Sequence, residues 1–151
     1  MFTLRLATAV DFPAIRKLIW QTGINPTGLN WRRFVLAVDE TGKLLGCGQI
    51  KPHQDGSREL ASIAVIPVAR GQGIARAIIV HLMKDEKPPL YLTCQPALQA
   101  LYTRFFFHTL AQSNYPVYYR RLDRLVRFFN WFRHSSESFS LMRWDGEKND
   151  Q

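Results

Sequence analysis

The chain has 151 residues, 46% hydrophobic, 13% aromatic and 21% charged, a composition too apolar for a disordered chain. Its length suits one compact domain, expected to span residues 1–151 with 144–151 as a polar tail. Lys and Arg number 20 against 12 Asp and Glu, a net charge of +8 that favours anionic partners such as nucleic acid, phospholipid or a phosphorylated small molecule.

Two cysteines, Cys47 and Cys94, make neither a disulfide scaffold nor a zinc cluster, and the four histidines are scattered singly. No metal is expected, and each cysteine reads as a small core residue. The amino-terminal stretch is broken by Asp11 and Arg16 before any long apolar run forms. No apolar run elsewhere is long enough for a spanning helix. A cytoplasmic protein is the expectation.

In chain order, TLRLAT predicts a short strand. Asp11 stands as a helix N-cap with Pro13 in the first turn, Ile15, Leu18 and Ile19 keep helical spacing, and Gly23 stops the helix. Residues 25–30 are rich in turn formers, and Trp31 to Phe34 read as a short helix or a lead into the next strand. The run RFVLAVDETGKLLGCGQIK predicts a hairpin, and RELASIAVIP a third strand beside it. GIARAIIVHLMKDE is a helix ended by Lys87, Pro88 and Pro89. LYLTC is a buried strand, and Pro96 opens a helix through ALQALYTRFFF. Leu122, Leu125, Phe128, Phe129 and Phe132 share one face of a further helix that would cover the sheet, and SFSLMRWD closes as a strand. This order predicts an α+β fold with a mixed, mostly antiparallel sheet.

The turn between the third strand and the following helix carries Arg70, Gly71, Gln72 and Gly73. Glycines let a backbone approach a ligand closely, and a helix start leaves N–H groups without partners. A pyrophosphate would accept those donors, with Arg70 adding a guanidinium. A glycine-bearing helix start selected for tight packing is the alternative. The turn is not a Walker A loop, because no Lys-Ser or Lys-Thr follows Gly73. It is not a dinucleotide-binding fingerprint either, because position 76 is Arg76.

The run Arg70-Gly71-Gln72-Gly73-Ile74-Ala75, with the strand before it and the amphipathic helix after it, resembles the acetyl-CoA signature R/Q-x-x-G-x-G/A of the GNAT N-acetyltransferase superfamily. The resemblance covers most of the chain and is weakest from Asn114 to Glu137. It implies the GNAT fold and a direct transfer of acetyl from acetyl-CoA to a primary amine of a small molecule or protein. It further implies that backbone groups of Ile63, Ala64 and Val65 pair with the pantetheine arm, Val65 N–H facing the thioester carbonyl. The N–H groups from Arg70 to Ala75 would hold the pyrophosphate, and Gln95 would contact the pantetheine amide. A Cβ at Gly71 or Gly73 would crowd or distort the loop.

Tyr102, in LYTRFFF, matches the position of the family's tyrosine acid, which donates to the departing thiolate. Packing between helix and sheet is its alternative role. Tyr91 and Tyr115 lack that match. The family's Gly-Phe pair is Phe106-Phe107 here. Glu59, at the start of the third strand of the run, is the candidate base, with Ala61, Ile63 and Val65 on its face and Ser62 on the other. A solvent-facing edge glutamate is the alternative, and Asp55 and His53 are weaker candidates.

Seven arginines but only Asp123 and Glu137 lie between Arg104 and Arg143. The interleaved aromatics there could stack bases or rest on an anionic membrane. This segment supports a competing reading: a non-catalytic CoA-binding or basic nucleic-acid- or protein-binding regulatory module on the same fold. Its aromatics also make a homodimer plausible, and its positive rim disfavours a polycationic acceptor.

Overall fold

The computed structural model describes residues 1–133 and 139–147. His134 and the last four positions of the expected tail therefore lie outside the described residues, as does the side chain of Phe132. The elements are β1 (Thr3–Leu6), α1 (Phe12–Gln21), β2 (Phe34–Val38), β3 (Leu44–Pro52), β4 (Arg58–Val65), α2 (Ile74–Met83), β5 (Leu90–Cys94), α3 (Gln99–Thr103), β6 (His108–Thr109), α4 (Val117–Arg133) and β7 (Ser140–Trp144). This is the expected α+β class, with a mixed, mostly antiparallel sheet. Among the described residues no helix is long and apolar enough to cross a membrane. The chain divides into two compact units, Met1–Lys51 with Leu60–Glu86 and Pro52–Glu59 with Lys87–Gln151.

In the first unit the strand order is β1-β2-β3-β4. β1 pairs antiparallel with β2, and β2 with β3, with a register shift between Ala37 and Val38. Alternation sends Phe34, Leu36 and Val38 to one face and Ala37 to the other. The first face meets Ile15, Leu18 and Ile19 of α1, all buried as the spacing predicts. Asp11 stands at the N-cap of α1, but its carboxylate does not cap that helix. It accepts from Thr8 N–H at 2.7 Å and from both terminal nitrogens of Arg5 at 2.8 Å. Those Arg5 bonds hold its pKa well below the usual carboxylate range. At the other end, Thr22 Oγ1 donates to Leu18 O and Ile19 O, and Gly23 follows at φ 70°.

The opposite face of this sheet receives α2. Ile74 and Ile78 pack with Ala37 and Ala69, joined by Ile63, Val65 and Leu82. The contact is closest over β3, where a Cβ on Gly48 would lie 2.6 Å from Ile63 Cδ1 and 2.7 Å from Ile78 Cγ2. One on Gly46 would lie 2.9 Å from Ile74 Cγ2. These two glycines form a bare track on which the helix rests.

In the second unit the order is β4-β5-β7-β6. β4 pairs parallel with β5 at Glu59↔Tyr91, and β5 and β6 each pair antiparallel with β7. The core here is Tyr91, Leu110, Tyr115, Tyr119 and Leu141, with Leu122 of α4 packed against it. Trp144, assigned above to the tail, closes β7 and is buried.

Three expectations change. The helix opened by Pro96 is a 3-10 turn over Pro96–Leu98 followed by one short helix ending at Thr103. Phe106 adopts φ 66°, and the chain leaves the helix there to form the two-residue β6. Phe128 and Phe129 do not cover the sheet. They are 61% and 49% exposed and Leu125 is 52% exposed, because Tyr119 and Leu122 set the buried face of α4. Finally, Ser62 takes φ 60°, a left-handed residue inside β4 that interrupts the strict two-residue alternation expected from Glu59 to Val65.

Because Ile78 is β-branched and fixed in the helix, its Cγ2 has little room to withdraw from a new methyl. Gly48→Ala is expected to lower unfolding free energy by about 1–3 kcal/mol through overpacking, read as a reduced urea midpoint at unchanged m-value.

Candidate active site

The loop in the first unit follows β4 through a 3-10 turn at Pro67–Ala69. Gly71 and Gly73 sit at φ 79° and 81°, conformations an L-residue adopts only at a cost. Nothing lies within 4 Å of where either Cβ would be, so of the two expected effects the distortion holds and the crowding does not, and the requirement for glycine is conformational. Gly73 serves as the N-cap of α2 without a side-chain cap, no acidic residue occupies the first turn, and the first helical bond runs from Ala77 N–H to Gly73 O. Arg70, Gly71, Gln72 and Gly73 are exposed, while Ile74 is buried and anchors the turn. The arrangement offers uncapped N–H donors at the positive end of a helix, which fits a phosphate-bearing ligand. Arg70 is bound at one end, its Nε donating to Val65 O at 3.2 Å. Ile63 and Val65 are half-buried and Ala64 is buried, on the strand leading into this loop.

The second unit gathers a different chemistry around Glu59, which is buried rather than facing solvent at the strand edge. His53 Nε2 lies 2.7 Å from Glu59 Oε1, with the two side chains 6% and 10% exposed. Tyr119 O–H donates to the same oxygen at 3.4 Å, and Thr93 Oγ1 donates to Oε2 at 3.5 Å. The His53 ring stacks on Tyr118 with centroids 3.6 Å apart and meets Tyr119 edge-on. Burial, and then the Glu59 charge, push the Tyr119 phenol far above its ordinary value, so it remains a neutral donor. Of the two weaker candidates, His53 belongs to this cluster. Asp55 has structural partners instead, accepting from Ser57 N–H at 2.9 Å and from Tyr118 N–H at 2.8 Å. Burial opposes its charge, but those bonds prevail and its pKa is lowered.

Tyr102, also in the second unit, is buried beside Phe107. Burial and the nearby Cys94 push its phenol up to about 12, and among the described residues no hydrogen bond reaches its hydroxyl. It therefore holds an uncommitted proton throughout the neutral range. Gln95 is exposed at the turn after β5, and its side chain makes no capping bond. Cys47 is buried with its thiol pushed up to about 12 by desolvation, and Cys94 is raised for the same reason. Neither is poised as a nucleophile. Among the described residues no group of three or more His, Cys, Asp or Glu side chains is placed to hold a metal.

Sequence reasoning did not find Tyr119, Tyr118 or Thr93. Tyr119 is 60 residues from Glu59 and lies in a segment read for its arginines and interleaved aromatics as a surface. A tyrosine pair at a helix start beside Pro116 was the one available signal.

The sequence profile of the acetyltransferase (GNAT) domain matches residues 30–121, and the chain belongs to that family. Its structure is similar to that of N-acetylglutamate synthase from Neisseria gonorrhoeae complexed with coenzyme A and N-acetyl-glutamate, with a TM-score of 0.73 at 17% identity. That match covers 98% of this chain and 36% of the other, so the chain spans about a third of that protein's length. It is also similar to Rv2747 from Mycobacterium tuberculosis in complex with CoA and NLQ, with a TM-score of 0.72 at 20% identity over 96% and 99% of the two chains. A third likeness is to the ribosomal-protein-S18-alanine N-acetyltransferase of Escherichia coli, with a TM-score of 0.65 at 19% identity over 100% and 99%. At these identities the likeness is one of fold. No curated protein sequence matches the chain.

A spectrophotometric titration at 295 nm tests the state of Tyr102. Tyr102→Phe is expected to remove one phenol ionising near pH 12 from the titration curve and to leave the remainder of the curve unchanged.

Proposed function

We propose that this protein transfers an acetyl group from acetyl-CoA to a primary amine by direct attack, with no acetyl-enzyme. The observation that carries the reading is the loop from Arg70 to Ala75, where two left-handed glycines present the uncapped start of α2 within a GNAT domain. In this reading the N–H groups from Arg70 to Ala75 hold the pyrophosphate, Ile63, Ala64 and Val65 offer backbone partners to the pantetheine arm, and Gln95 contacts its amide. Acetyl-CoA supplies the activated thioester carbonyl. Glu59 removes the proton from the acceptor's ammonium, and Tyr102 gives its proton to the departing sulfur. Two buried, high-pKa cysteines support direct transfer over a covalent route. The CoA bound in the structures from N. gonorrhoeae and M. tuberculosis supports the donor, and a cytoplasmic location agrees with free, buried thiols.

Calorimetric titration with acetyl-CoA is expected to show saturable micromolar binding, about 8 kcal/mol at 1 μM. CoA release should then appear with at least one acceptor in a panel of L-glutamate, an Ala-initiated peptide and simple primary amines. Tyr102→Phe should lower kcat about 10²-fold while leaving acetyl-CoA affinity within twofold. Folded, ligand-free protein that does not bind acetyl-CoA overturns the reading, and equal losses in kcat and affinity overturn the role of Tyr102.

A second reading rests on the outer side of α4. Arg120, Arg121, Arg124 and Arg127 are exposed there beside Phe128 and Phe129, as a surface for nucleic acid, an anionic membrane or a second copy would require. Salt-sensitive retention of single-stranded nucleic acid without CoA release favours this regulatory module over the enzyme.

A further inference from the structure

We propose that His53 is a positioning residue for Glu59: its Nε2–H fixes Oε1, and Oε2 is thereby the oxygen offered to the acceptor's ammonium. The proposal rests on the reading of Glu59 as base and deepens it.

The geometry separates the two carboxylate oxygens. Oε1 accepts from His53 at 2.7 Å and from Tyr119 at 3.4 Å. Oε2 has Thr93 at 3.5 Å, the outer limit of a hydrogen bond. With Glu59 ionised, as a base must be, the carboxylate only accepts, and the short contact takes its proton from Nε2. At 2.7 Å the bond has the length of a charge-assisted one.

His53 is itself held from several directions. It occupies the turn between β3 and β4, where His53 N–H donates to Ser57 O at 2.9 Å and Gly56 N–H donates to His53 O at 3.1 Å. Asp55 braces the same turn through Ser57 and fastens it to the start of α4 through Tyr118 N–H. The ring is clamped between the face of Tyr118 and the edge of Tyr119. The described contacts of the pair thus come from Thr93 on β5 and from Tyr118 and Tyr119 on α4, with Asp55 beside them in the turn. Of the three described donors to the carboxylate, His53 is the closest, at 2.7 Å against 3.4 and 3.5 Å.

A purely structural histidine would matter for its ring and its packing; a positioning histidine matters for its N–H. Two substitutions separate these roles. His53→Phe keeps a ring for Tyr118 to stack on and removes the donor, whereas His53→Gln keeps a donor and removes the ring.

The first readout needs no acceptor. Long-range ¹H–¹⁵N NMR of the wild type should show a proton on His53 Nε2 at neutral pH. With ¹³C-labelled glutamate, and the Glu59 signal assigned by its loss in Glu59→Gln, the Glu59 carboxylate carbon at neutral pH should change its chemical shift in His53→Phe, because the short hydrogen bond to Oε1 is lost. In His53→Gln it should return most of the way to wild type.

In CoA release from acetyl-CoA with L-glutamate or the Ala-initiated peptide, His53→Phe should lower kcat about tenfold. Acetyl-CoA affinity should stay within twofold, and His53→Gln should recover the rate. Coincident Glu59 carboxylate shifts in wild type and His53→Phe overturn the proposal, as does an Nδ1–H tautomer or a His53→Gln no better than His53→Phe. If His53→Phe does not fold, the proton position on His53 and the Glu59 carboxylate shift in His53→Gln decide between the same outcomes. Wild-type CoA release by Glu59→Gln would instead sink the reading of Glu59 as base, a failure distinct from any of these.

Discussion

The seating of α2 on β3 is the constraint from which the rest of the first unit follows. Gly46 and Gly48 carry no side chains, so Ile74 and Ile78 reach the strand backbone directly, and a single methyl in that track would meet them at 2.9 Å or less. A close helix-to-sheet contact of this kind leaves little freedom for the helix to slide or rotate. The start of α2 is held by buried Ile74, and the loop ahead of it takes its shape from there. Gly71 and Gly73 then need only the right backbone angles, since open space surrounds both. The packing constraint lies under the helix, and the conformational constraint lies in the loop.

The second unit depends on polar groups where the first depends on packing. Burying a carboxylate is unfavourable unless donors replace its water, and Glu59 has three: an imidazole, a phenol and a threonine hydroxyl. Those donors come from a turn, from α4 and from β5, so satisfying one charge also ties three parts of the unit together. Asp55 repeats the device at a smaller scale by joining its own turn to the first residues of α4. Such clusters are sensitive to partial loss, because any member removed leaves the others unpaired in a weakly solvated place.

This contrast explains what could be read in the sequence. The strands, α1, α2 and the Arg70–Ala75 turn were legible because each follows from local chemistry: apolar period, turn residues, and glycines where the backbone needs a positive φ. The short α3 was not, since Phe106 takes φ 66° against its own preference and tertiary packing decides the point. The left-handed Ser62 inside β4 was hidden for the same reason. The face of α4 was misassigned because its phenylalanines are more apolar than its tyrosines, yet Tyr119 is fully buried and Phe128 is not. Tyr119 is drawn inward because its hydroxyl has a partner in Glu59, and no local rule announces a partner 60 residues away.

The two halves of the proposed chemistry therefore place different demands on the sequence. A ligand held by backbone N–H groups asks for conformation, so Gln72 is free to vary while Gly71 and Gly73 are not. Proton transfer asks for particular atoms at particular distances. Glu59 gains its setting from His53, Tyr119 and Thr93, and Tyr102 gains its from burial that keeps the phenol protonated with no competing acceptor among the described residues. The first demand leaves a short contiguous motif. The second leaves residues dispersed from 53 to 119, each ordinary by itself, whose meaning appears only when the fold sets a carboxylate among donors and a phenol apart from them.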